Sequence, residues 1–281
     1  MARKKTSILA LHEKKVQGQP ITMVTAYDYP SALAADRAGI DSILVGDSLG
    51  MVVLGYESTV PVTMEEMLHH CRAVRRGAQL AYLIGDMPFL SYQAESAEAV
   101  RNAGRFLKDA GMDAVKLEGG REIAGTVRAI ANAGITVVGH IGLTPQSVTK
   151  LGGYRVQGRT AAGAQKLLDS AVSLEEAGAM MLVLEMVPDR VAARISQSLR
   201  IPTIGIGAGV GCDGQVLVLH DLLGIFDGAP RFAKRYAELF AEMERALTEY
   251  RDDVISRRFP SSEHTFSMDE AEWAGWIEHS T

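Results

Sequence analysis

Apolar residues in this chain fall into short unbroken runs separated by segments of helical spacing. Four places share one local unit: "RAGIDSILVGD" (37–47), "DAGMDAVKLEG" (109–119), "NAGITVVGHIG" (132–142) and "EAGAMMLVLEM" (176–186). Each reads as a helix stopped at an Ala-Gly pair, then a buried strand that ends on polar residues. Glycine suits such a stop because it accepts the left-handed conformation. Continuous apolar runs, as opposed to alternating ones, mark strands covered on both faces. Residues 21–27, 80–84, 203–206 and 215–220 fit the same strand type, and "ILVGDSLGMVV" (43–53) opens as a buried strand with a carboxylate, Asp47, at its end. The total is eight candidate strands.

Helical patterns separate most of them, at 61–77, 96–111, 121–134 and 160–178. The first carries a capping box, Thr63 with Glu66 three residues on. Strand and helix in alternation predict an α/β fold with a parallel sheet, and eight strands predict a (β/α)8 TIM barrel. Counting alone leaves a doubly wound open sheet as the alternative. The last two strands are joined by a glycine-rich loop with no room for a helix. A single barrel domain is expected over 1–281. Residues 1–20 would form a helical arm and 21–225 the barrel. A helix over about 230–257, within a segment 226–260, would close the barrel from outside, and 261–281 would be an irregular tail.

The chain has 281 residues, nearly half of them apolar, enough for a large core. Its net charge of −5 and the lack of a long Lys/Arg block argue against a nucleic-acid surface. Cys71 and Cys212 are far apart and form no CxxC, which fits a reducing cytoplasm. The basic start is followed by too short an apolar run for a signal peptide, and no run approaches the ~20 residues of a membrane span. A cytoplasmic protein is expected.

In a parallel barrel the active site lies at the C-terminal ends of the strands. Read in order, those ends carry Asp47, Asp86, Lys116 with Glu118, His140 and Glu185. One acid after a strand is ordinarily a helix cap; four on successive units with a lysine point to a functional cluster. Lys116 and Glu118 are two residues apart and so share a face. Parity puts Asp47 on the face of Ile43 and Val45, assigned to the barrel interior, with Ser48 and Gly50 in a loop that admits substrate. His140 is grouped with the substrate-facing candidates, although a histidine there is as often a core residue as a ligand. Carboxylates that converge need a cation. Oxygen donors from Asp47, Asp86 and Glu118, with no convergent Cys/His set, point to Mg²⁺. Glu118 is expected to act directly or through water. A chelating 2-oxo acid would suit such an ion, which would act as a Lewis acid on an enolate oxygen.

Other motifs weigh less. "GVGCDG" (209–214) matches G-x-G-x-x-G, but an apolar run follows it where the dinucleotide motif needs a helix. "HHC" (69–71) sits mid-helix with its side chains diverging.

The runs from "MVTAYDYPSALAADRAGIDSILVGDSLG" through "GDMPFLSYQ", "AVKLEGG", "VVGHIGLTPQSV", "GGYRVQGRT", "LVLEMVP" and "IGIGAGVGCDGQVLVLHDLLG" resemble the ketopantoate hydroxymethyltransferase family over about residues 4–266. The resemblance implies a barrel of the phosphoenolpyruvate/pyruvate type, usually a homodecamer. It implies transfer of a hydroxymethyl group from 5,10-methylenetetrahydrofolate to 3-methyl-2-oxobutanoate, giving 2-dehydropantoate for pantothenate and coenzyme A. By the same resemblance Asp47 and Asp86 bind Mg²⁺, with Glu118 in or beside its coordination sphere. Asp47, Ser48, Asp86 and Lys116 contact the 2-oxo acid, and Glu185 is the proton acceptor. The alternative is another metal-dependent 2-oxo acid lyase or mutase on the same barrel. No residue is assigned to the folate.

Overall fold

The structure, a computed structural model, describes residues 4–226 and 228–279. A helix, α1 (Ile8–Val16), precedes strand β1 (Ile21–Thr25). The chain continues through α2 (Tyr29–Arg37), β2 (Ser42–Val45), α3 (Leu49–Val52), α4 (Met64–Gly77), β3 (Tyr82–Asp86), α5 (Ser96–Lys108) and β4 (Ala114–Glu118). Then come α6 (Ala124–Asn132), β5 (Val137–Gly142), α7 (Val148–Leu151), α8 (Ala161–Glu176), β6 (Ala179–Glu185) and α9 (Asp189–Ser198). Strands β7 (Thr203–Ile206) and β8 (Gly214–Leu217) follow without a helix between them, and α10 (Leu219–Leu223), α11 (Leu239–Ile255) and α12 (Glu270–His279) end the described chain. Each strand pairs in parallel with the next and β8 pairs with β1, so the sheet closes into a barrel. The open-sheet alternative is excluded.

Local chemistry explains the element ends. Gly39, Gly111, Gly134 and Gly178, the glycines of the four Ala-Gly units, all take positive φ, the conformation that stops the helix and turns the chain into the next strand. The Thr63–Glu66 capping box forms reciprocally at the start of α4.

Two apolar layers hold the barrel. Ile21, Met23, Leu44, Tyr82, Ile84, Val138, Met181, Val183, Ile204 and Val216 form the interior cluster. Leu11 of α1 joins it from below, so the N-terminal helix plugs the bottom of the barrel. Ile43, Val45, Leu83, Val115, Leu117 and Leu184 belong to the outer layer against the helices.

This arrangement corrects three expectations. Ile43 and Val45 face the helices, and their neighbour Leu44 faces the interior, so the parity argument for Asp47 fails. The strand ends at Val45, and the turn that starts at Gly46 carries Leu49–Val52 into a short helix where a loop was expected. Side-chain alternation stops with the strand; Asp47 reaches the mouth because the chain turns there. The expected closing helix begins only at Leu239 and buries none of its residues; it does not cover the barrel of its own chain. Beyond it, the acidic end of the tail forms the helix Glu270–His279.

Candidate active site

The C-terminal mouth opens into a cavity of about 490 Å³. Asp86 ends β3, Lys116 and Glu118 lie on β4, His140 on β5, and Glu185 ends β6. Each lies an even number of residues from an interior side chain of its own strand: Ile84, Ala114, Val138 and Val183. That period sends all five inward, and Asp47 and Ser48 join them from the turn after β2. All seven line the cavity.

Lys116 is the electrostatic centre. Its Nζ lies 2.8 Å from Asp86 Oδ1 and 3.4 Å from Glu118 Oε1, and 3.3 Å from His140 Nδ1. His140 extends the chain of contacts, with Nδ1 3.3 Å from Glu118 Oε1 and Nε2 3.2 Å from Glu185 Oε2. The first four groups are buried and Glu185 is partly open to the cavity. Burial would lower the Lys116 ammonium's pKa, but Asp86, Glu118 and Asp47 outweigh it and the pKa rises. Burial raises the Asp47 carboxyl, and Asp86 and Glu118 add to the rise. Burial also raises Asp86, against the pull of Lys116. Glu118 goes the other way: burial would raise it, but Lys116 and His140 hold it below the usual range. His140 is pushed up to about 9, because Glu118 and Glu185 overcome burial and the Lys116 charge.

Gln146, which the sequence reading missed, ties the acids together. It lies in a single 3₁₀ turn, Pro145–Ser147, after β5. Its Nε2 donates to Asp47 Oδ2 and to the Met87 carbonyl, each at 2.9 Å, and its backbone N–H donates to Glu118 Oε2 at 3.0 Å. Tyr92 donates to Gln146 Oε1 at 2.7 Å and accepts from the Glu118 backbone N–H at 3.0 Å. Ionisable groups at strand ends stand out in a sequence, and an amide in a loop carries no such mark. Tyr27 and Ser48 share a hydrogen bond of 2.8 Å at the rim.

Met186, the residue after Glu185, has φ +46°. A non-glycine residue rarely takes that conformation, and here two bonds hold it: its N–H donates to the Ile206 carbonyl and its carbonyl accepts from Gln157 N, both at 2.9 Å. The bend points the chain away directly after Glu185.

Among the described residues no three His, Cys, Asp or Glu side chains converge into a complete metal cage. The donor set instead suits a hard cation that keeps waters and substrate as ligands. Asp86 Oδ1 accepts no aligned hydrogen bond despite its ion pair with Lys116, and Asp47 lies beside it, its N–H 3.0 Å from Asp86 Oδ2. Both Glu118 oxygens already have partners.

A closed parallel barrel with acids and a lysine at its C-terminal mouth defines a class, the (β/α)8 barrels with a polar site at the strand ends. Solved structures share the fold. 2,3-Dimethylmalate lyase, described as a PEP mutase/isocitrate lyase superfamily member, aligns with TM-score 0.56 at 15% identity over 98% of this chain and 99% of that one. Phosphonopyruvate hydrolase aligns with TM-score 0.62 at 14% identity over 98% and 96%. At that identity they speak for the fold alone. The family is narrower: the family model for ketopantoate hydroxymethyltransferase matches residues 5–262. The 3-methyl-2-oxobutanoate hydroxymethyltransferase of Carboxydothermus hydrogenoformans is 58% identical over 94% of this chain and 96% of its own length. The chain belongs to the ketopantoate hydroxymethyltransferase family, a family of enzymes.

Proposed function

We propose that the protein transfers a hydroxymethyl group from 5,10-methylenetetrahydrofolate to 3-methyl-2-oxobutanoate, with water, giving 2-dehydropantoate and tetrahydrofolate in pantothenate biosynthesis. The observation that carries this reading is the placement of Glu185 at the lip of a buried pocket of carboxylates gathered around Lys116, in a chain of this family.

Lys116 holds the carboxylate and keto oxygens of the 2-oxo acid by charge-assisted hydrogen bonds, and Ser48 adds a donor at the rim. Asp47 and Asp86 would hold Mg²⁺, with Glu118 in or beside its coordination sphere; the Glu118 oxygens are engaged by Gln146, Lys116 and His140. When bound, the ion supplies Lewis-acid polarisation of the keto group, which acidifies the proton at C3. Glu185 takes that proton. His140, 3.2 Å behind Glu185, fixes the carboxylate and offsets its charge. The freed electron pair at C3 attacks the methylene carbon as its bond to one folate nitrogen breaks, water supplies the hydroxyl as the bond to the other breaks, and the two nitrogens leave as tetrahydrofolate with the proton taken from C3 and one from water.

The same reading makes the protein a cytoplasmic homo-oligomer, a decamer by family resemblance. The described residues contain no helix long and apolar enough to cross a membrane.

Incubation with 3-methyl-2-oxobutanoate, Mg²⁺ and methylenetetrahydrofolate tests the function. The product is expected only when both organic substrates are present. Consumption of the 2-oxo acid without folate would instead establish a lyase or mutase.

A further inference from the structure

The charged groups of the site crowd one side of the mouth, on β2 through β6. The cavity continues across the mouth to β7, β8 and β1, and there its wall changes character. Ile206, Val216 and Val218 line it. Phe232 leans over this sector: a Cβ on Gly207 would lie 3.0 Å from its ring. Among the described residues, two charged side chains line the cavity outside the cluster already described, Asp221 and Arg231.

Asp221 stands in the first turn of α10, which is anchored to the barrel by the Leu219 N–H donating to Thr25 Oγ1 at 2.9 Å. Its carboxylate is half-buried. Burial pushes its pKa up, opposed by the Arg235 charge. Among the described residues it accepts no hydrogen bond, unlike Asp36, Asp41 and Asp213, whose oxygens are met by backbone N–H groups. A partly desolvated carboxylate without donors is costly unless a ligand brings them. A five-carbon 2-oxo acid held at Lys116 fills only part of the 490 Å³, so a second ligand has room.

We propose that the β7–β8–β1 sector binds the heterocycle of the one-carbon donor. Asp221 accepts hydrogen bonds from the amino-amide edge of a 2-amino-4-oxo pteridine, and Phe232 covers the flat face. The match is chemical. That edge presents two neighbouring N–H donors, and a carboxylate offers two oxygens in a matching fork. A flat ring fits an apolar wall with few oriented polar groups. The arrangement sets the donor across one shared cavity from Lys116 and beside Glu185, which pairs with Ile206 of β7. This assignment rests on the proposed function, which supplies the pteridine.

The test is calorimetric titration of the wild type, Asp221→Asn and Phe232→Ala with tetrahydrofolate and with its 2-desamino analogue. Asparagine turns one oxygen into a donor facing a donor. The wild type should prefer tetrahydrofolate over the analogue by about tenfold or more, about the value of one charge-assisted bond. Asp221→Asn should lose that preference and weaken tetrahydrofolate binding about as much. Phe232→Ala should weaken both ligands equally. KM for methylenetetrahydrofolate should rise in both variants, and KM for the 2-oxo acid should stay within about twofold, as for a contact outside its subsite. Unchanged tetrahydrofolate affinity in both variants, with a wild type that makes 2-dehydropantoate, overturns the assignment alone. A wild type that makes no 2-dehydropantoate overturns the functional reading and this assignment with it.

Discussion

Gln146 is the residue whose removal should reveal most about how the acids are held. One side chain and one backbone N–H reach Asp47, Glu118, Tyr92 and Met87. Groups that orient metal-binding carboxylates commonly account for 10–100-fold in metal affinity. Gln146→Ala should therefore weaken Mg²⁺ or Mn²⁺ binding by at least about tenfold, read by Mn²⁺ paramagnetic resonance without any substrate. An unchanged dissociation constant would show that Asp47 needs no such support. Legibility at this scale followed the strand. Lys116 and Glu118 could be paired from sequence because both lie inside β4, where the period of two holds. Asp47 could not be oriented, because β2 ends at Val45 and the turn beyond it follows no period. Gln146 was invisible because its role depends on long-range contacts.

At the scale of elements, α1 shows how a short helix is fixed to the barrel floor. Lys14 reaches both Asp41 oxygens at 2.7 Å, and Asp41 Oδ2 also accepts from Thr22 N and Thr22 Oγ1 at 2.9 Å. Burial would raise the Asp41 carboxyl, but Lys14 and Thr22 overcome it and hold it below the ordinary carboxylate value. A carboxyl depressed in the folded state stabilises that state above its unfolded pKa, about 3.9. The contribution is lost as pH falls through the lower folded value. Asp41→Asn should cost about 1–2 kcal/mol near neutral pH, and its melting temperature should converge on the wild type's only below about pH 4. A gap that stays constant through that window would contradict the assignment. The helix stops at Ala-Gly were readable because glycine alone takes their positive φ freely. The start of α11 was not, because no cap marks it: Glu238 makes no side-chain capping bond.

For the whole molecule, eight strands could be counted in the sequence, but closure could not; it depends on the pairing of β1 with β8. The same distant geometry hid the fate of α11. Phe240, Met243, Leu247, Tyr250 and Val254 repeat at alternating steps of three and four, and all are well exposed. That seam is the pattern of a helix that packs on another surface. The homo-oligomer proposed above predicts that a second copy covers it. Leu247→Glu with Tyr250→Glu should reduce the assembly by light scattering. A wild type that runs as a 30.3 kDa monomer would refute the oligomer.

The proposed function turns on Glu185 removing the C3 proton of a 2-oxo acid held by the Lys116 cluster. Deuterium exchange at C3 of 3-methyl-2-oxobutanoate, followed by proton resonance with Mg²⁺ and no folate, tests it most directly. Glu185→Gln should slow that exchange by about 10² or more, the usual contribution of a general base, with binding of the 2-oxo acid retained. Exchange at the wild-type rate in the variant would contradict the account.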